Sequence, residues 1–194
     1  MVKKRVPEFA RRIYRWGRRN KKAVIISLLV IAAAMLFTSQ VRAIVSIGIL
    51  ALAGTFSQVY KRVIRIPPAF ELVTFGTVLV GYVYGIWAGA IFGIVVTIAA
   101  EIASSAIDAF VIGYIPARAS AGIAAAIAAG YNVNIFWAGM LGVVVYNVIA
   151  QPLYMIQPDV ELRMKLVFFL TGNFVFNFVI FRVLGEPVLF LMTA

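Results

Sequence analysis

The chain contains neither cysteine nor histidine. Without cysteine there are no disulfides, no thiolate metal sites and no thiol nucleophile. Without histidine, the commonest general base near neutral pH and the commonest transition-metal ligand are both missing. Acidic residues are scarce as well, with seven Asp and Glu among 194 residues. Paired carboxylates, nucleophilic triads and metal clusters have little to be built from. The sequence therefore reads as a non-enzyme, with no catalytic residue, no metal site and no cofactor. It has no Walker-type phosphate loop, so it does not hydrolyse nucleotides itself. It also lacks the arginine ladder or pore-lining repeat of a channel.

What the chain has in abundance is apolar surface: 63% of its residues are hydrophobic. That composition belongs to membrane proteins. The expected fold is an all-α integral membrane protein, a compact bundle of six core transmembrane helices plus an extra N-terminal helix. The formal charge of +11 is concentrated at one end. Ten of the 18 Lys and Arg lie in residues 1–22, opposed only by Glu8. Within that tail Val6, Phe9, Ile13 and Trp16 recur three or four apart, and Arg11, Arg12, Arg15, Arg18 and Arg19 take the other side. This is the pattern of an interfacial amphipathic helix bound to anionic lipid headgroups. The plainer alternative is a solvated cytoplasmic tail. The organisation is thus a basic tail over 1–22 and a bundle over 23–194, multi-pass in the cell membrane. The charge rule places the tail in the cytoplasm. A membrane surface is nearer to hand than nucleic acid, which is not expected as a partner.

The remaining expectations turn on Phe70–Asp108. A single helix over that stretch would be about 58 Å long, against a hydrocarbon core of about 30 Å. It has to fold back, and Tyr84–Gly85 is the expected break. Gly81, Gly85, Gly89 and Gly93 recur at every fourth position and should let helices approach closely. The expected spans are 23–38, 43–60, 70–84, 85–107, 118–130, 135–156 and 166–184. Ser39–Arg42, the prolines at 67 and 68, Asp108–Ala117, Tyr131–Asn134 and Gln157–Lys165 separate them. Pro152 is expected to kink or shorten its span, and Glu186–Pro187 to close the last one.

Polar side chains inside apolar spans carry the chemistry, because burying them without partners is costly. Asn147 and Gln151 are four apart, as are Asn173 and Asn177, so two amide-bearing faces can converge. Amides donate and accept together, which suits a neutral, ring-shaped or amide-like ligand; interhelical hydrogen bonding for stability is the plainer alternative. Glu101 is a mid-span carboxylate with Arg118 as its expected partner, either for structure or for ligand binding. Asp108, Tyr114 and Arg118 form a further polar group beside the spans.

Residues 40–184 resemble the substrate-binding S components of energy-coupling factor transporters. The resemblance lies in QVRAIVSIGILALAGTFSQVYKRVIRIPPAFELVTFG, in GYVYGIWAGAIFGIVVTIAAEIASSAI, in GYIPARASAGIAAAIAAG and in the late Asn-bearing helices. It implies a six-helix subunit that captures a vitamin-like micronutrient and works with a transmembrane coupling subunit and an ATPase pair. It implies a pocket involving Glu71, Tyr114, Arg118, Asn147, Gln151, Asn173 and Asn177, to which the mid-span Glu101 adds a candidate of its own, and a docking face for the coupling subunit near Ala51 and Thr55. The span at 23–38 and the basic tail are additional to that plan. The other reading is a non-transporting scaffold subunit of a larger membrane complex.

Overall fold

The computed structural model describes residues 20–23, 25–27, 29–30, 39–62, 69–105, 111–155 and 160–194; side chains are described within these ranges except at 62, 153–155 and 160–168. The amphipathic helix expected in the tail, most of the span at 23–38, the two prolines of the first loop and Asp108 lie outside the described residues. The chain divides into two units, residues 1–45 and 46–194. Described residues of the first are helical at 21–23, 25–27, 29–30 and from Ser39 onward.

The described elements are α1 (Ser39–Ser57), a short 3-10 turn (Val59–Arg62), α2 (Val73–Tyr84), α3 (Ile86–Ser104), α4 (Val111–Gly130), α5 (Ile135–Met155) and α6 (Val160–Thr193). No strand occurs among the described residues. Among the described residues, five stretches are long and apolar enough to cross a membrane: Ser39–Lys61, Ile86–Ser104, Val111–Gly130, Ile135–Pro152 and Phe169–Thr193. The architecture is an all-α membrane bundle.

The shortest helix is its centre. Residues 73–81 of α2 are all buried, and α2 packs against α3, α4, α5 and α6. A helix apolar all round belongs inside other helices. At 12 residues it rises only about 18 Å. Its N-terminus is capped from one residue outside: the Glu71 carboxylate accepts the backbone N–H groups of Val73 and Thr74. Those donors would otherwise be unpaired in a dry interior, and a negative charge there also suits the helix dipole. The Ser57 hydroxyl at the end of α1 accepts the Leu72 N–H at 3.0 Å, joining the two helix ends.

The break between α2 and α3 falls at Gly85, with φ of 92° and ψ of −179°. This backbone region is open almost only to glycine. A Cβ there would meet nothing within 4 Å, so conformation rather than space demands glycine. The other glycines answer to space. A Cβ on Gly122 of α4 would lie 2.6 Å from the Gly89 carbonyl of α3, and one on Gly89 would lie 2.5 Å from the Gly81 Cα of α2. A Cβ on Gly93 would stand 2.9 Å from the Arg118 carbonyl. Helices α2, α3 and α4 therefore meet backbone to backbone, as small residues permit in lipid.

Neighbouring helices run antiparallel, so two ends of the second unit can be distinguished. One holds the α1-to-α2 connection, the C-terminus of α3 and the starts of α4 and α6. The other holds Gly85, the α4-to-α5 turn and the C-terminus of α6. At this second end Tyr82 donates to the Val133 carbonyl at 2.8 Å. Asn134 caps α5 by accepting the Phe136 N–H and reaches Glu186 at 3.0 Å. Trp87, Tyr131 and Trp137 are exposed there, as aromatic anchors at a membrane–water interface would be.

Several boundaries differ from expectation. Ser39–Arg42 belongs to α1 rather than interrupting the chain. α4 begins at Val111, with Gly113 and Pro116 inside it, because Tyr114 and Ala117 are buried against Tyr146, Phe169 and Ala150. α5 runs past Pro152 to Met155, and α6 begins at Val160 rather than after Lys165. α6 also continues through Pro187 to Thr193, where a stop was expected. An internal proline costs about 3 kcal/mol. Burial of Met192, with Val188 and Leu189 packed on the core, offsets that cost.

Candidate functional site

The polar residues gather toward the end at which α2 starts. Nearest that end, Lys61 in the 3-10 turn donates to both Glu101 carboxylate oxygens at 2.7 and 3.0 Å, and to Gln58 Oε1 at 3.2 Å. Gln58, Lys61 and Glu101 are all buried. The pair thus ties the end of α1 to the end of α3.

Deeper in the bundle, Arg118 of α4 forms a second buried ion pair. Its Nη1 donates to Glu71 Oε1 at 2.7 Å and to Thr74 Oγ1 at 2.6 Å, while the Thr74 hydroxyl donates to Glu71 Oε1 at 2.6 Å. The guanidinium lies over the Tyr146 ring, 4.3 Å from its centroid, and Tyr114 stacks on Tyr146 at 6.5 Å. Guanidinium, carboxylate, hydroxyl and two aromatic rings from α2, α4 and α5 form one cluster. Its charges cancel, which is how ionised groups persist in a water-poor interior.

The expected partnership of Glu101 with Arg118 is not formed. Gly93 of α3 stands against the Arg118 backbone, and Glu101 is eight residues further along α3, about 12 Å away along the axis. Lys61 reaches Glu101 instead, and Glu71 takes Arg118.

The amides of α5 and α6 do meet. Asn147 Nδ2 donates to the Val143 carbonyl at 2.7 Å and to Asn173 Oδ1 at 3.1 Å. Gln151 Nε2 lies 3.5 Å from Asn147 Oδ1. Asn177 Nδ2 donates to the Asn173 backbone carbonyl at 2.9 Å. Asn147, Asn173 and Asn177 are buried, and Gln151 is half-buried. Two amide atoms of this region, Asn173 Nδ2 and Asn177 Oδ1, are buried without a hydrogen-bond partner, as are the Thr77 and Thr97 hydroxyls of α2 and α3.

Among the other expected residues, Gly81, Gly85, Gly89 and Gly93 stand at the α2–α3–α4 contact and break described above. Ala51 packs against the hydrophobic core and Thr55 is half-buried. Arg11, Arg12, Arg15, Arg18 and Arg19 lie outside the described residues. Sequence reasoning missed Gln58, Lys61, Thr74 and Tyr146. No cap pattern marks Thr74, because the capping box runs from Ser or Thr to Glu or Gln, the reverse of Glu71 and Thr74. Nothing local in the sequence marks Lys61 as buried. No group of three or more acidic residues able to hold a metal occurs among the described residues.

No family model, no curated protein and no solved structure matches this chain.

Proposed function

We propose that this chain is the membrane-embedded capture subunit of a micronutrient uptake system, binding a small polar solute at the end of the bundle where α2 starts. The observation that carries the reading is the pair of buried, partnerless amide atoms on α6, Asn173 Nδ2 and Asn177 Oδ1. Such atoms cost roughly 1–3 kcal/mol each when left unpaired, and a bound solute relieves that cost. In this reading Arg118, Tyr146, Asn173 and Asn177 contact the solute. Glu71 and Thr74 hold Arg118, Tyr114 supports Tyr146, Asn147 and Gln151 orient Asn173, and the Lys61–Glu101 pair fastens the end of the site. Like the S components it resembles, the chain would pass its solute on with a transmembrane coupling subunit and an ATPase pair. Ala51 and Thr55 are its nearest match to their docking face. The basic tail would lie on the anionic cytoplasmic leaflet of the cell membrane.

A scaffold role is the second reading. It is favoured by the backbone bonds of Asn147 and Asn177 to their own helices and by the Asn147–Asn173 bond between helices, the pattern of polar glue in membranes. Native mass spectrometry of the full chain, extracted in mild detergent, separates the two. Capture predicts a small molecule that stays with the protein and is lost in Asn147→Ala and Asn177→Ala. A bare protein mass that stays bare after incubation with a panel of vitamins and nucleobases supports the scaffold.

A further inference from the structure

The amide orientations on α5 and α6 are fixed by backbone carbonyls, which accept and cannot donate. Asn147 must turn its NH2 toward the Val143 carbonyl, so the same NH2 faces Asn173 and meets its Oδ1. Asn177 must turn its NH2 toward the Asn173 backbone carbonyl. With both choices made, what remains is one donor, Asn173 Nδ2, and one acceptor, Asn177 Oδ1. Both residues are completely buried. They stand one turn apart on the same face of α6, with Asn173 nearer the polar end.

Among the described buried side chains, none carries an unpaired charge. Glu71 is held by Arg118 and Glu101 by Lys61. A charged solute would enter this interior without a counter-ion, at high desolvation cost. A neutral solute that accepts from Asn173 and donates to Asn177 would leave no polar atom of the pair unmatched.

We infer that Asn173 and Asn177 read the edge of a neutral cyclic amide (a lactam, cyclic urea or imide ring), with its C=O toward Asn173 and its N–H toward Asn177. The inference rests on the capture reading and narrows it: the ring's N–H is required, and its carbonyl points toward the polar end of the bundle.

The test uses the full chain in lipid nanodiscs with three probes: uracil, piperidone and imidazolidinone. Each is compared with its fully N-methylated counterpart by calorimetry and by thermal unfolding. At least one probe should bind and raise the unfolding temperature, while its N-methylated counterpart, which cannot donate, does neither. Asn177→Leu should weaken that probe by roughly ten- to a hundredfold. It should leave the unfolding temperature of the ligand-free protein nearly unchanged, since the lost bond to the Asn173 carbonyl is offset by removal of an unpaired buried acceptor; a merely structural amide predicts a clear loss of stability instead. The wild-type comparison holds whether or not the variant folds. Equal binding of the parent and N-methylated rings overturns the inference, as does a full response in Asn177→Leu. If no cyclic amide binds but native mass spectrometry finds a carboxylate or amine solute retained, the inference falls and capture stands. If no solute of any kind is retained, both fall, and ordered water satisfies the pair.

Discussion

Arg118 Nη1 lies 2.7 Å from Glu71 Oε1, and neither side chain reaches solvent. Glu71 does two things at once: it neutralises Arg118 and it caps the N-terminus of α2. The short central helix and the candidate site are thereby fastened by the same carboxylate. A change at Glu71 or Arg118 is felt both in the fold and in the polar cluster.

Breaking this pair from one side should be costly. Arg118→Met leaves a buried carboxylate and Glu71→Gln leaves a buried guanidinium, each at about 3–5 kcal/mol. The double variant Glu71→Gln/Arg118→Met should recover much of the loss, because Gln retains an acceptor for the α2 cap and no charge remains unpaired. Unfolding of the four proteins in one detergent gives the coupling energy. Additive single losses would show that the two side chains do not interact.

The glycines should separate by cause. Gly85→Ala meets no steric obstacle but forces a side chain into a backbone region reserved for glycine, at about 1–3 kcal/mol. Gly122→Ala keeps an ordinary helical backbone but drives a Cβ into the Gly89 carbonyl, so α3 and α4 must separate, at about 1–3 kcal/mol or more. Gly48→Ala on α1 meets nothing within 4 Å and should be neutral or stabilising by up to about 1 kcal/mol. Thermal unfolding of the three variants checks the order. Equal destabilisation at positions 48 and 122 would contradict the close-approach account.

The sequence was most informative where a covalent or dimensional constraint left one solution. An apolar stretch too long for the bilayer, with glycine in its middle, had to turn at Gly85, and it does. Asn147, Gln151, Asn173 and Asn177 were recognisable because amides are rare in apolar helices. Helix ends at prolines were misplaced because Pro116 and Pro187 are overridden by distant packing, of Tyr114 on Tyr146 and of Met192 on the core. The ion-pair partners were misassigned for a related reason. Glu101 and Arg118 are 17 positions apart, but the register of α3 against α4 is set by Gly89, Gly93 and Gly122, and this separates them by two turns. Lys61 finds Glu101 across 40 positions, a pairing no local pattern encodes.

The tail prediction concerns residues 1–22 alone. A peptide of this sequence should bind vesicles containing anionic lipid. Replacing Arg11, Arg12, Arg15, Arg18 and Arg19 with Gln should release it, since each cation near such a surface contributes about 1 kcal/mol. Co-sedimentation measures the difference, and raised salt should weaken the native peptide in the same way. Undiminished binding of the Gln peptide would assign the interaction to Phe9, Ile13 and Trp16 instead.

The last prediction fixes which side of the membrane the polar end faces. Ser105 ends α3 at that end and is exposed, and Tyr131 begins the turn at the other end and is exposed. Gly93 stands level with Arg118. Ser105 is 12 residues from Gly93 and Tyr131 is 13 from Arg118, in opposite directions. At 1.5 Å per residue the two sites are roughly 37 Å apart along the bundle, more than the hydrocarbon core of about 30 Å. Because the chain has no cysteine, Ser105→Cys and Tyr131→Cys each introduce a unique thiol. An impermeant maleimide should label one in intact cells and the other only after permeabilisation. Labelling of both from the same side would remove α3 and α4 from the membrane-crossing helices. Capture from outside requires Ser105 to be the externally labelled site. With the basic tail in the cytoplasm, that result also means an odd number of crossings before Lys61: α1 crosses and residues 23–38 do not. Labelling of Ser105 only from the cytoplasm would mean that residues 23–38 cross as well, and would turn the polar end away from any external solute.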